Sequence, residues 1–93
     1  MIEKFKGTRT VNLLIRKYGH QPRVIRLNYQ EPDIVEHWVR STVSPFQSRT
    51  EERDHVCSVE IREQIGKTTN YVRSIPFYGI SPDEVKNLLN EKL

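Results

Sequence analysis

Apolar and polar residues alternate along four short stretches of this chain and recur at three- and four-residue spacing along two others. From Thr10 to Tyr18 the run TVNLLIRKY is rich in β-branched and apolar types. GHQP supplies turn chemistry after it, and RVIRLNY resumes the strand pattern, so the first third predicts a β-hairpin. Pro32 then takes the first helical position with Asp33 beside it. Ile34, Val35, Trp38, Val39 and Thr42 follow at helical spacing and make one apolar stripe. Glu31 is a poor N-cap, so the start of this helix is not sharply marked.

Residues 44–54 lose periodicity and collect Ser, Thr, Pro and charges, the composition of a surface loop. HVCSVEIRE then alternates apolar Cys57, Val59 and Ile61 with polar Ser58, Glu60 and Arg62, as a half-buried strand does. Gly66 and KTTN mark a turn, and YVRSIPF returns as a fourth strand whose Pro76 argues for an edge or strand end. Neither register of Tyr71, Val72 and Arg73 gives a clean alternation, so their facing is left open. Ser81-Pro82-Asp83-Glu84 is a capping box with proline at the first helical position, and Val85, Leu88, Leu89 and Leu93 complete a second amphipathic stripe.

The elements read ββαββα, an α+β domain. Two amphipathic helices and four half-apolar strands bury their apolar surface best as an antiparallel four-stranded sheet with both helices packed on one face. One domain over 1–93 is expected, with a first hairpin-helix unit at 10–43, a loop at 44–54 and a second unit at 55–93. Ile15-Arg16, Gly19, Ile25-Arg26 and Pro32-Asp33-x-Val35 recur in order as Ile61-Arg62, Gly66, Val72-Arg73 and Pro82-Asp83-x-Val85. That order suggests an internal duplication of the hairpin-helix unit; two helices satisfying the same capping physics independently would also produce it.

Period-two alternation sorts the side chains between the faces. With Val11, Leu13 and Ile15 toward the helices, Asn12, Leu14, Arg16 and Tyr18 point away. With Ile25, Leu27 and Tyr29 inward, Val24, Arg26 and Asn28 point away, and the second hairpin adds Glu60 and Arg62. This mixture of Arg16, Arg26 and Arg62 with Leu14, Tyr18 and Val24 has the character of a binding surface.

Charge sharpens the picture. The whole chain is only +3, but through Gln30 seven Lys or Arg stand against Glu3 alone, whereas the remainder carries eight basic and eleven acidic residues. A basic hairpin with an aromatic suits nucleic acid, since guanidinium groups neutralise phosphates and a ring such as Tyr18 stacks on a base. It equally suits an acidic protein surface, where Arg and Tyr are enriched among energetic anchors. Charge that merely keeps a small domain soluble is the plain alternative. Arg49 and Arg53, among the acidic residues of the charged loop, form a second candidate patch or a solvated connection.

Catalytic kits are missing. His55 and Cys57 share one strand face, but His20 and His37 do not complete a four-ligand spacing, so no metal and no cofactor is expected. Cys57 reads as a small core residue, and the four glycines never cluster into a phosphate loop. With 35% hydrophobic and 29% charged residues the chain is neither a disordered tail nor a membrane protein, and no run approaches the ~18–20 apolar residues that span a bilayer. MIEKFKGTRTVNLLI has no apolar run ending at a small-residue cleavage site, and the single cysteine suits a reducing compartment, so a cytoplasmic location is expected.

The expected function is therefore non-catalytic binding, with Arg16, Tyr18, Arg23, Arg26 and Arg62 as contacts and Arg49 and Arg53 in the loop. A protein partner comes first. Short proteins without a catalytic kit often act by occupying a surface of a larger one, as inhibitors of host systems carried by phages and mobile elements do. RNA or DNA held by the basic hairpin is the alternative, and self-association as a homodimer or ligand binding between sheet and helices is the third option.

Overall fold

A computed structural model of the chain describes residues 9–28, 30–48 and 56–93. The elements run β1 (Arg9–Arg16), β2 (Arg23–Asn28), α1 (Pro32–Val43), β3 (Cys57–Ile65), β4 (Thr68–Phe77) and α2 (Pro82–Glu91), with a 3-10 turn at Ser44–Phe46. The order is ββαββα, as the sequence predicts. Among the described residues the sheet has four strands in the order β2-β1-β3-β4, every neighbouring pair antiparallel.

Alternation decides which face is buried. Val11, Leu13 and Ile15 of β1, Ile25 and Leu27 of β2, Cys57, Val59 and Ile61 of β3, and Ile75 and Phe77 of β4 are all buried. Both helices lie on this face, α1 contributing Val35, Val39 and Val43 and α2 contributing Val85 and Leu89, with Trp38 and Leu88 packed at the margin. Each fully buried side chain of this kind contributes about 1.5–3 kcal/mol, so this one layer is the main favourable term in folding. The stripes sit slightly differently from the sequence reading. Val43 belongs to the first while Ile34 is 61% exposed, and Leu93 of the second is 67% exposed.

The helix starts differ as their caps do. Glu31 makes no side-chain cap bond to α1, whereas at α2 the Glu84 amide donates to Ser81 Oγ (3.2 Å) and the Ser81 amide donates to Glu84 Oε1 (3.3 Å). Between β4 and α2 the chain turns through Gly79 at φ 65°. The segment after the 3-10 turn docks against this point: the Ser48 amide donates to the Tyr78 carbonyl (2.7 Å), and Gln47 Oε1 accepts from the Tyr78 amide (3.2 Å). A Cβ on Gly79 would lie 2.3 Å from Ser48 Cβ, so only glycine admits this approach.

The open question about β4 resolves as a bulge. Ile61 faces Arg73 and Arg62 faces Tyr71, which leaves Val72 as an extra residue on β4. Ile61 points to the helices, so Arg73 does too, and it reaches α1 to pair with Glu36 and with Asp33 (3.3 Å). β4 is an edge strand, in keeping with Pro76. The two hairpin-helix units meet through β1 and β3. The offset that superposes Ile15-Arg16 on Ile61-Arg62 also superposes Leu14 on Glu60, and these two face one another across the seam.

Candidate binding surface

The sheet face away from α1 and α2 carries a readable grid. Arg26, Asn12 and Arg62 lie in one row across β2, β1 and β3; Val24, Leu14, Glu60 and Ser74 form the next; Arg16, Ser58 and Pro76 form the third. Strands are ~4.8 Å apart, so the Arg26 and Arg62 backbones are separated by about 10 Å. Arg16 and Arg26 thus sit where alternation puts them, opposite the face that holds Trp38 and Leu88.

Glu60 organises the centre. Arg16 Nη2 donates to Glu60 Oε2, and Arg62 donates to Glu60 Oε1 from Nε (2.7 Å) and Nη2 (2.5 Å). The Glu60 side chain is 10% exposed, while those of Arg16 and Arg62 are 51% and 40% exposed. Two half-exposed guanidinium groups therefore share one sunken carboxylate, each held in place by it, and among the described residues their remaining N–H donors have no carboxylate partner. Arg26 makes no ion pair with a described residue. Leu14 and Val24 add apolar surface between the charges.

The remaining predicted contacts distribute differently. Arg23 leads β2 with the parity of Ile25 and points to the helix side, where its Nε donates to Asp83 Oδ1 (2.5 Å) in the first turn of α2. It braces a helix N-terminus and is not part of the grid. Tyr18 sits in the β1–β2 turn, 80% exposed, where the His20 amide donates to the Lys17 carbonyl (3.0 Å). Beside it a shallow cleft of about 450 Å³ is lined by Arg16, Lys17, His20 and Ser58 with Pro22 and Val56. Lys17 Nζ also donates to the Ile80 carbonyl (3.2 Å), tying the hairpin end to the turn before α2. Arg49 and Arg53 lie outside the described residues, as do Tyr29 and His55.

Glu60 is the residue that sequence reasoning placed on this face without seeing its role. The Glu60–Arg62 spacing shows two side chains on one face. That Arg16 joins them depends on β1 lying beside β3 in one register, which no local pattern encodes. Among the described residues no cluster of three metal-capable side chains occurs, Cys57 is a core residue, and no helix is long and apolar enough to cross a membrane. No protein-family model, curated protein or solved structure matches the chain.

Proposed function

We propose that the chain is a non-catalytic docking module that acts in the cytoplasm and binds a protein partner through the grid of Arg26, Asn12, Arg62, Leu14, Val24 and Arg16. The observation that carries this reading is the Glu60 bracket. Fixing two arginines before binding lowers the side-chain entropy lost on association, and it presents guanidinium donors beside apolar side chains, the composition of a protein–protein contact. The partner surface is acidic at the points that meet Arg26 and Arg62 and apolar where it meets Leu14 and Val24. Occupying a functional surface of that partner, as an inhibitor does, is the simplest action open to such a module.

A nucleic acid is the second reading, favoured by the hairpin-end cleft, where Arg16, Lys17 and His20 adjoin the exposed ring of Tyr18. It is weaker for the face itself, because Glu60 lies at its centre.

Capture from source-cell lysate at two salt concentrations separates the readings, comparing wild type with Val24→Asp and Arg26→Ala and analysing protein and nucleic acid together. The proposal expects a discrete protein retained at 0.5 M salt, an order-of-magnitude choice some threefold above physiological strength, and lost in Val24→Asp. Nucleic acid released steeply by salt and indifferent to Val24→Asp would overturn it in favour of the second reading.

A further inference from the structure

Acidic and apolar side chains meet on the helix layer, in a shallow groove of about 240 Å³ between α2 and the 3-10 turn. Phe46, Glu84, Asn87, Leu88 and Glu91 line it, with no Lys or Arg among the described residues there. The basic residues of this segment are directed elsewhere. Lys92 lines a different cavity with Leu27 and Trp38, and Lys86 stands two positions from both Glu84 and Leu88, a spacing that puts it on another side of the helix. Phe46 is 60% exposed, a large apolar ring beside two carboxylates. Glu91 pairs with no described residue, and Glu84 retains Oε2 beyond the capping bond at Oε1. The grid around Glu60 has the opposite sign and a matching spacing. Arg16, Arg26 and Arg62 outnumber one glutamate there, with Leu14 and Val24 beside them. Arg26 and Arg62 lie about 10 Å apart across the strands, and Glu84 and Glu91, two turns apart on one side of α2, are separated by about 10.5 Å of helix rise. Leu88 lies within one turn of each glutamate, as Leu14 and Val24 adjoin the row of Arg26, Asn12 and Arg62.

We propose that the groove at Phe46 is a docking site for a second copy of this chain, which enters with its grid. Glu84 and Glu91 of one copy meet Arg26 and Arg62 of the next, and Leu88 and Phe46 meet Leu14 and Val24. The inference rests on the grid being a docking face and adds that the chain itself carries a surface complementary to it. Two grids set face to face would oppose arginine with arginine, so charge selects the groove instead. The groove belongs to the helix layer and the grid to the other side of the sheet. Each contact therefore leaves one unused surface on either copy, and the association is head-to-tail and open-ended.

Sedimentation equilibrium of the purified, intact chain tests this. The average mass should rise with concentration at low salt and fall back toward that of one chain in about 0.5 M NaCl. Arg26→Glu alters a residue without an ion pair, and Glu91→Lys places a cation where a helix C-terminus favours one. Both should keep the far-UV spectrum, and each should weaken association about five- to thirtyfold, the range for turning exposed attraction into repulsion. Arg26→Glu retains an intact groove and Glu91→Lys an intact grid, so an equimolar mixture should form a complex of two chains and stop there. Three results would each overturn the inference: the mass of one chain at every concentration up to roughly 1 mM, association undiminished in Glu91→Lys, or a mixture no heavier than either variant alone. No lysate enters this measurement. A foreign protein captured through Val24 would still uphold the grid as a docking face if the self-contact failed.

Discussion

Replacing Glu60 by glutamine keeps the size of the side chain and removes its charge. Glutamate accepts through both oxygens, one from Arg16 and one from Arg62. Glutamine offers a single acceptor, and its amide nitrogen then faces a guanidinium that can only donate, so at least one contact is lost. Exposed ion pairs contribute about 0.2–1 kcal/mol, and bonds to buried charges about 1.5–3 kcal/mol. Here the carboxylate is covered and both arginines are about half exposed, which puts each contact near the top of the exposed range, about 1 kcal/mol. Losing one or both lowers stability by about 1–2 kcal/mol, or roughly 4–16 °C in Tm for a domain this small. Urea unfolding followed by circular dichroism measures it, with an unchanged m-value as the sign that only the folded state is affected. The loss should shrink in 1 M NaCl. A change below about 0.3 kcal/mol, or the same change in an Arg16→Ala, Arg62→Ala background, would mean that Glu60 does not hold the arginines.

Two further outcomes follow from the geometry. Gly79→Ala should cost more than about 2 kcal/mol, because its Cβ meets Ser48 backbone and side chain, whereas Gly19→Ala, also at positive φ but with nothing within 4 Å, should cost about 1 kcal/mol; comparison of their urea midpoints checks the contrast. The hydrogen bond from Arg40, joined by Arg73, holds the Glu36 carboxyl below its ordinary value of 4.5 despite some desolvation. A depressed folded-state value means that the stabilisation is complete above pH 4.5 and fades as pH falls through the folded value. The urea midpoints of wild type and Arg73→Ala should therefore differ at neutral pH and converge in acid; curves that stay parallel would exclude this origin.

Much of the fold is written locally. Val11, Leu13 and Ile15, or Cys57, Val59 and Ile61, alternate because one face of each strand is dry, and Ser81 with Glu84 marks a helix start by its own hydrogen bonds. Arg73 resisted because a bulge inserts Val72 and breaks the very period that reveals facing. Arg23, expected among the contacts, lies off the grid for a simpler reason: it shares the parity of Ile25, and at a strand end its long side chain escapes the core and reaches Asp83. The grid of side chains on the open face is half legible. Parity assigned Arg16, Arg26 and Arg62 to one side, whereas the bond from Arg16 to Glu60 exists only because distant segments pair, and residue order alone does not say which strands become neighbours.

The junction of β1 with β3 also governs how the chain reaches its native state. Within each hairpin-helix half, pairings close short loops and can form quickly, but Arg9 with Ile65 and Arg16 with Ser58 unite positions far apart in sequence. Joining the halves is then the slow, entropically uphill event, and until it occurs each half presents one unpaired central strand to whatever chain arrives first. Dilution during refolding should favour the correct marriage within one molecule over exchange between two.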